Sequence, residues 1–463
     1  MFNRRQFLQN SAAATAAFSG LAALSGCARA ENTILNVTPA NLVPDQHALL
    51  DLPPGFSYSV ISTEGDEMDD GLLTPGEFDG MAAFETTDGI TLVRNHELNP
   101  SQIERSPFGL EGERIRQIDQ NRLYDRRDDH SGLFGGTSTL ILDPASLEVK
   151  RHFLSLGGTY NNCAGGLTPW GSWLTCEETT MRQGDHLTRD HGYVFEVPAA
   201  SRELVDAIPL TDMGRFRHEA VAIDPQTGIV YLTEDAYDAA CFYRFIPNVR
   251  GQLAQGGRLQ ALKIVGEAGF DTRNWDQTSI RPGDNLAVEW MDVIDSSNPD
   301  SDLAPRHIAM GAAHFTRGEG IWFGEGELYF VCTDGGAAHA SQIFRYTPST
   351  SISTDEDATL PAGILELFIE STGDDVIGNC DNITIAPWGD LILAEDGRGE
   401  QYIRGVTPAG RIYTIARNAF NEDSEFSEFC GPCFSPDGSI LFVNVQSEPS
   451  RTFAIRGPWR DLG

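Results

Sequence analysis

One pattern recurs six times along the 463-residue sequence: a turn that ends in glycine, a short apolar strand, and then a polar or acidic group. The glycines that end the six turns are Gly89, Gly171, Gly228, Gly326, Gly389 and Gly438. No helical periodicity is sustained after residue 30, and turns rich in Gly, Pro and Asp separate the apolar runs. The repeat therefore predicts an all-β chain, because each hairpin must bury its apolar face against the next one.

Six hairpins spread over the whole chain favour a six-bladed β-propeller with long inserted loops. The predicted insertions are residues 99–130, 252–306 and 349–357. A two-domain β-sandwich is the competing fold. It does not explain why the strands keep ending in acids, and we therefore predict the propeller.

A second set of residues occupies one place in each repeat, just before the hairpin. These residues are Asp79, Cys163, Glu219, Glu319, Asp381 and Cys430. A propeller places equivalent positions on a ring around its central channel, so we expect these six side chains to converge there. Any one of them is explained by a turn cap or a buried thiol, but six in register favour a site.

Converging carboxylates without matching Lys or Arg repel one another, and cations are the natural compensation. Carboxylate oxygens suit hard ions such as Ca²⁺, whereas a thiolate among them indicates a softer transition metal such as iron or zinc. The combination of Cys163 with Glu219 and Glu319 thus predicts a mixed cluster. Arg317, two residues before Glu319, suits bidentate binding of phosphate or sulfate oxygens, or a salt bridge to the ring carboxylates; both roles remain open.

The charge of the chain excludes several partners. Lys and Arg number 33 against 67 Asp and Glu, which gives a formal net charge of −34. An excess of this size repels nucleic acid and anionic lipid headgroups, so we expect no nucleic-acid partner.

The first thirty residues resemble an export signal rather than part of the fold. Arg4 and Arg5 begin the R-R-x-F-L core of a twin-arginine signal, and an Ala-rich apolar stretch follows. Cleavage before Cys27 would leave a lipid-anchored protein, whereas cleavage after Ala30 would release a soluble one, and both remain open. We expect residues 31–463 to form a single propeller domain, periplasmic or extracellular, that contacts a membrane only through a lipid on Cys27.

Cysteine usage agrees with a metal role for Cys163. With Cys27 assigned to the signal, seven of the eight cysteines remain, and an odd number cannot all pair. Using Cys163 as a ligand leaves six thiols, an even number that permits disulfides in an oxidising compartment.

The motifs around Cys163 are familiar. Residues 159–166 read T-Y-N-N-C-A-G-G, and T-P-W-G and L-T-C-E-E follow within residues 168–178. This stretch resembles the signature of the PhoX-type alkaline phosphatases. Further matches lie at residues 79–82, 95–97, 218–219, 317–320, 381–382 and 395–397. The resemblance covers essentially the whole chain after the signal segment.

The resemblance implies a six-bladed propeller with a central iron and calcium cluster, and hydrolysis of phosphate monoesters. Cys163, Glu219 and Glu319 match the iron-binding positions. The expected calcium ligands are Glu178, Glu395 and Asp396, with Glu97 and Asp235 as further candidates. Arg317, Cys163 and Glu319 are the implied catalytic residues, and Arg317 and Asn162 the implied substrate-binding residues. A phosphate-binding lysine expected upstream of N-N-C-A-G-G is not evident.

The sequence thus predicts an exported phosphomonoesterase that uses Fe³⁺ and Ca²⁺, acts on small phosphate esters and is a monomer. A calcium-dependent propeller lactonase or phosphotriesterase is the first alternative. A non-enzymatic, calcium-stabilised surface propeller that binds a partner through its loops is the second.

Overall fold

The structure is a computed structural model that describes residues 37, 41–126, 132–184, 187–349, 362–397, 399–420 and 427–462. Nearly all regular structure is β. Two short strands come first, β1 (Leu50–Asp51) and β2 (Ser57–Thr63). Within the described residues no helix is long and apolar enough to span a membrane.

Each hairpin of the sequence repeat begins one antiparallel sheet, or blade. Blade 1 contains β3 (Phe78–Thr86), β4 (Gly89–His96), β5 (Gly135–Leu142) and β6 (Val149–Thr159). Blade 2 contains β7 (Asn162–Leu167), β8 (Ser172–Glu177) and β9 (Val194–Pro198). Blade 3 contains β10 (His218–Ile223), β11 (Val230–Glu234), β12 (Tyr243–Pro247) and β13 (Gly257–Ile264).

The second half of the chain continues in the same way. Strand β14 (Asn285–Asp292) pairs with the outer strands of blades 3 and 4 and joins them into one nine-stranded sheet. Blade 4 contains β15 (Gly318–Phe323), β16 (Leu328–Cys332), β17 (Gln342–Pro348) and β18 (Gly363–Glu370). Blade 5 contains β19 (Cys380–Ile385), β20 (Leu391–Glu395), β21 (Tyr402–Val406) and β22 (Ile412–Asn418), with β1 at its edge. Blade 6 contains β23 (Glu428–Phe434), β24 (Ile440–Gln446) and β25 (Arg451–Arg456), with β2 as its outer strand.

The first strands of the blades form a closed circle. Each of β3, β7, β10, β15, β19 and β23 contacts the first strand of the next blade, and β23 contacts β3. Apolar side chains fill the space between neighbouring blades; at the joint of blades 3 and 4, Phe242 stacks on Phe330 with ring centroids 4.2 Å apart. Such pairs add about 0.5–1.5 kcal/mol beyond their buried area. The predicted six-bladed all-β propeller is confirmed.

The predicted insertions are not simple loops, because two of them contain regular structure. Residues 252–306 include β13, β14 and most of the one α-helix of the described residues, α1 (Leu303–Ala309), because this segment completes blade 3. Residues 99–130 include three short 3₁₀ segments, at Ile103–Arg105, Glu113–Gln117 and Gln120–Arg122. Three more lie at Thr211–Met213, Leu253–Gln255 and Trp459–Asp461. Of the third insertion only Ser349 lies within the described residues.

Candidate metal centre

A β-bulge at the start of each inner strand aims one side chain into the channel. In blade 3, His218 pairs with Glu234 and the next pair is Val221 with Leu232, so Glu219 and Ala220 drop out of the ladder. The same register shift occurs in the other five blades. Bulges re-aim side chains in this way. The first residues of the six bulges are Asp79, Cys163, Glu219, Glu319, Asp381 and Gly431.

The ring therefore differs from the predicted one in the last blade, where Gly431 replaces Cys430. Gly431 has a φ of +58°, and a Cβ there would lie 2.5 Å from the backbone oxygen of Asp79. Only glycine suits both conditions. Cys430 precedes the bulge, and its thiol donates to the backbone oxygen of Phe78 at 2.7 Å. Its side chain nevertheless faces the ring, close to Asp79.

A second row of acids follows the second strands of the blades. Glu97, Glu178, Asp235 and Asp396 each come directly after such a strand, at the end of the hairpin where the bulge lies. Glu97 accepts hydrogen bonds from Asn161 at 3.0 Å and from Gln446 at 3.2 Å. The two rows therefore line one end of the channel.

Among the described residues, four groups of three side chains bring their ligand atoms within 4.8 Å of one another. The groups share members and form one network, called here the channel cluster. Its members are Asp79, Glu97, Cys163, Glu178, Glu219, Glu319, Asp381, Glu428 and Cys430. Five of the eight predicted metal ligands belong to it, namely Cys163, Glu178, Glu219, Glu319 and Glu97.

Cys163 lies inside this network. Its Sγ is 3.3 Å from Glu219 Oε1 and 3.6 Å from Asp79 Oδ2. Burial, followed by the charges of Asp79 and Glu219, raises the pKa of the Cys163 thiol well above its ordinary value. A thiol in such a place ionises only when a cation compensates it, and a softer metal is the cation that favours sulfur.

The carboxyl groups show the same need for compensation. Burial first, and neighbouring carboxylates second, raise the pKa of Glu219 and of Glu319 well above the ordinary value, and raise that of Asp381 to about 8. Glu219 Oε2 is buried and has no hydrogen-bond partner. Burying an uncompensated charge costs several kcal/mol per ion. The donor set, carboxylate oxygens with two thiols, therefore fits hard cations together with a softer one.

Two arginines stand at the mouth of the channel. Arg317 Nε donates to Asp235 Oδ1 at 2.9 Å, and its Nη2 lies 2.8 Å from Glu319 Oε1. The charge of Glu319 is the largest influence on the Arg317 guanidinium, and it raises the pKa of this group. Arg217 occupies the equivalent place in blade 3 and donates to Glu178. Their side chains are 37% and 49% exposed, so both guanidiniums remain accessible from outside.

Arg217 was missed by the sequence reasoning, although a signal was present. Arg217-His218-Glu219 and Arg317-Gly318-Glu319 share the pattern R-x-E in consecutive blades. Burial lowers the pKa of Arg217, but the Glu178 and Asp235 carboxylates outweigh burial and raise it overall. Glu428 was also missed, and no repeated pattern marks it.

Glu395, predicted as a calcium ligand, is not a member of the channel cluster. Its Oε1 accepts from Arg404 Nε at 2.9 Å and from the Gly378 amide at 3.1 Å, and its Oε2 accepts from the Tyr402 amide at 3.0 Å. Each oxygen thus has a donor on β21, and Oε1 has a second donor in the segment before β19. Asp396, the next residue, lies at the exposed rim and shares a hydrogen bond with Glu428.

Asn162, predicted to bind substrate, faces the interior of its blade. It is fully buried, its Oδ1 accepts from Thr159 at 2.5 Å, and its Nδ2 donates to Thr175 at 2.9 Å. Asn162 precedes the bulge, so its side chain points to the opposite side from Cys163. It holds the blade that presents Cys163.

The disulfides that an even number of thiols would permit do not form among the described residues. Cys163, Cys176, Cys241, Cys332, Cys380, Cys430 and Cys433 are all buried free thiols. Cys430 and Cys433 share strand β23, and the other five come from separate segments, so the even number of remaining thiols did not lead to pairing.

Fold and site together define a class: a six-bladed β-propeller whose channel carries a buried, acid-rich and thiol-containing candidate metal centre. The chain belongs to the PhoX alkaline phosphatase family, because its sequence matches the family profile described as alkaline phosphatase PhoX over residues 37–449. This membership makes it a phosphoric monoester hydrolase, and it favours that activity over the lactonase and binding-protein alternatives. No curated protein matches the sequence.

Solved propeller structures resemble the chain only in fold. The calcium-binding protein regucalcin from Agrobacterium tumefaciens is 14% identical with a TM-score of 0.41, over 87% of this chain and 96% of that chain. A gluconolactonase from Xanthomonas campestris is 12% identical with a TM-score of 0.37, over 91% and 98% of the two chains. Streptogramin B lyase is 12% identical with a TM-score of 0.35, over 87% and 98%. These likenesses carry no argument about activity.

Proposed function

We propose that this protein hydrolyses small phosphate monoesters at a mixed Fe³⁺ and Ca²⁺ centre held by the channel cluster. Cys163, Glu219 and Glu319 would hold iron, because they combine the thiol with buried carboxyls. Glu178, Glu97, Asp235 and Asp396 would hold calcium, because they lie nearer the mouth and offer oxygen alone. When bound, these cations supply Lewis-acid stabilisation of the phosphoryl oxygens and activate an oxygen nucleophile.

The chain's own residues explain how an anionic substrate approaches an acidic protein. Arg317 and Arg217 are the cations at the mouth, and their guanidiniums are partly exposed. A guanidinium donates charge-assisted hydrogen bonds to phosphoryl oxygens and keeps its charge at alkaline pH. In Arg317 the Nε and Nη2 donors face Asp235, so Nη1 is the donor offered to a phosphoryl oxygen. The proposal rests above all on Arg317, which joins the mouth to Glu319 of the channel cluster.

Arg317 would also position the substrate for reaction. Asp235 accepts two hydrogen bonds from Arg317, at 2.9 and 3.2 Å, and so fixes the plane of the guanidinium. Such fixed donors stabilise the charge that develops on phosphorus oxygens during in-line displacement.

The test combines metal analysis with an assay. The protein purified from its native export route should contain both iron and calcium, and should hydrolyse a generic aryl phosphate. Cys163→Ser should lose iron and most activity, whereas Cys176→Ser, another buried thiol in the same blade, should keep both. Calcium without iron, together with unchanged hydrolysis by Cys163→Ser, would contradict the proposal.

We propose further that the chain is exported by the twin-arginine route and works as a monomeric single propeller of residues 31–463. Residues 1–36, which include the signal and Cys27, lie outside the described residues. Replacing Arg4 and Arg5 by Lys should retain the protein in the cytoplasm. Metabolic labelling with a fatty acid would show whether Cys27 carries a lipid.

A further inference from the structure

Three aromatic side chains meet on the surface beside the mouth of the channel. The rings of Tyr237 and Trp275 lie 5.4 Å apart at 37°, and those of Trp275 and His339 lie 5.1 Å apart at 32°. Tyr237 is 57% exposed and the His339 side chain is 45% exposed. We call Tyr237, Trp275 and His339 the aromatic rim.

The aromatic rim lies at the same end of the propeller as the channel cluster. Tyr237 follows β11 and His339 follows β16, and these second strands end where the bulges lie. Backbone hydrogen bonds connect the rim to Arg317: the Arg317 amide donates to Ala236 at 3.0 Å, and the Thr333 amide donates to Arg317 at 3.1 Å. Tyr237 and His339 are therefore a few residues from the segments that hold the mouth arginine.

The central ring of the rim is anchored. Trp275 Nε1 donates to the backbone oxygen of Asp334 at 2.7 Å. The Arg273 guanidinium lies 4.3 Å from the Trp275 ring centroid, and Asp271 fixes this guanidinium at 2.7 Å. The Trp275 ring is therefore held in place, and Tyr237 and His339 pack against it in a defined orientation.

The fold itself does not account for these exposed rings. Within the described residues, neither Tyr237 nor Trp275 belongs to the apolar clusters that fill the spaces between blades. Exposed aromatic faces beside a polar site are typical of surfaces that stack flat ligands.

We infer that the aromatic rim binds the leaving group of the substrate, and that the preferred substrates are phosphate esters of aromatic groups, such as aryl or nucleoside monophosphates. This inference rests on the proposed function. Hydrolysis breaks the ester P–O bond, adds the oxygen of water to phosphorus, and releases the leaving group as an alcohol or phenol with a proton from that water. The aromatic rim and Arg317 share one end of the propeller, so a leaving group that departs from Arg317 towards solvent passes beside the rim.

Binding measurements on the metal-loaded, full-length protein test the inference without relying on turnover. Calorimetry with phenylphosphonate and methylphosphonate, which are not hydrolysed, should give about tenfold tighter binding of the phenyl compound, as stacking of one ring allows. Tyr237→Ala and His339→Ala should reduce this ratio towards one, whereas Tyr237→Phe should keep it. Ile208→Ala removes an equally exposed apolar side chain on blade 2 and is the matched control.

The outcomes separate the inference from the proposed function. Equal affinity for the two phosphonates, or a ratio that survives both alanine substitutions, overturns the aromatic rim and leaves the phosphatase intact. Failure of both phosphonates to bind, with no hydrolysis of any monoester, overturns the proposed function and the inference with it. In kinetic assays Tyr237→Ala and His339→Ala should lower kcat/KM for phenyl phosphate while leaving kcat/KM for glycerol phosphate unchanged.

Discussion

Glu219 and Glu395 are both buried acids, yet their surroundings differ. Glu395 receives Arg404 and two backbone amides, so its charge is compensated by the protein. Glu219 faces Cys163 and other carboxyls, and its Oε2 has no partner. A buried acid that lacks internal donors is the better candidate for a metal ligand.

Glu395→Gln should destabilise the protein without changing its metal content. The substitution leaves the buried guanidinium of Arg404 unpaired, a change that costs about 3–5 kcal/mol. Glu219→Gln should instead lose metal and activity. Denaturant unfolding and elemental analysis of both variants check this contrast. Loss of metal from Glu395→Gln would show that Glu395 is a metal ligand.

Arg217→Ala should weaken inhibition by inorganic phosphate about tenfold, as removal of one charge-assisted contact implies, and should leave the metals in place. The reason is that Arg217 repeats the position of Arg317 in the neighbouring blade and is half exposed. Arg258→Ala, an exposed arginine on an outer strand, is the control. Loss of calcium from Arg217→Ala would show that it only holds Glu178 in place.

At the scale of elements, the sequence predicted the hairpins but not the exact ring. Turn glycines and apolar strands determine where each hairpin lies, and all six were found. Bulges have no pattern of their own in one sequence, so the ring position in the last blade was misassigned by one residue, to Cys430 instead of Gly431. The sequence also does not show which acids already have donors: Glu395, predicted as a calcium ligand, accepts hydrogen bonds from Arg404 and two backbone amides.

Two buried contacts between charged side chains join the insertion after β4 to blade 2. His191 lies between Asp125 of the insertion, at 3.2 Å, and Glu177 at the end of β8, at 2.6 Å. Burial lowers the pKa of His191, but Glu177 and Asp125 outweigh burial and raise it to about 9. The imidazole is therefore charged in the folded protein at neutral pH.

His191 should make stability depend on pH. Because its pKa rises from 6.5 to about 9 on folding, its contribution is complete below pH 6.5 and is lost as pH rises through 9. His191→Gln should lower the free energy of unfolding by about 3–5 kcal/mol at pH 6 and by less at pH 9.5. Denaturant unfolding at the two pH values checks this, and a difference independent of pH would contradict it.

At the scale of the molecule, part of the net charge of −34 comes from acids that line the channel rather than the surface. The channel cluster concentrates acids whose pKa values are raised by burial, with Asp381 at about 8. The folded, metal-free protein therefore holds protons that the unfolded chain releases. Its stability should fall as pH rises from about 4 to 8, since the unfolded state binds fewer protons there.

Chelated protein should accordingly melt at a lower temperature at pH 8 than at pH 5.5, and added Ca²⁺ should restore more stability at pH 8. Thermal unfolding followed by fluorescence measures both effects. An Asp381→Asn variant removes one of the raised pKa values and should flatten the pH dependence of the chelated protein. Identical melting of chelated and calcium-loaded protein at pH 8 would contradict a cation-compensated channel.

The architecture was predictable because a repeat is visible in the sequence. Contacts between insertions leave no such pattern. The aromatic rim is the clearest case: Tyr237, Trp275 and His339 come from three separate loops with no shared pattern. Strands β13 and β14 were missed although turns at Gly256 and Gly283 precede them, because these two strands are not part of the repeated hairpin.

The outer strand of blade 6 comes from the beginning of the chain. Thr63 of β2 pairs with Arg451 of β25, and the same closure brings Asp79 of the first blade beside Cys430 of the last. A nascent chain therefore holds β2 without its partner until β25 has been synthesised. The circle, and with it the channel cluster, should form only after β25 has emerged from the ribosome, so metal loading has to follow that step and, if the protein is exported folded, precede export.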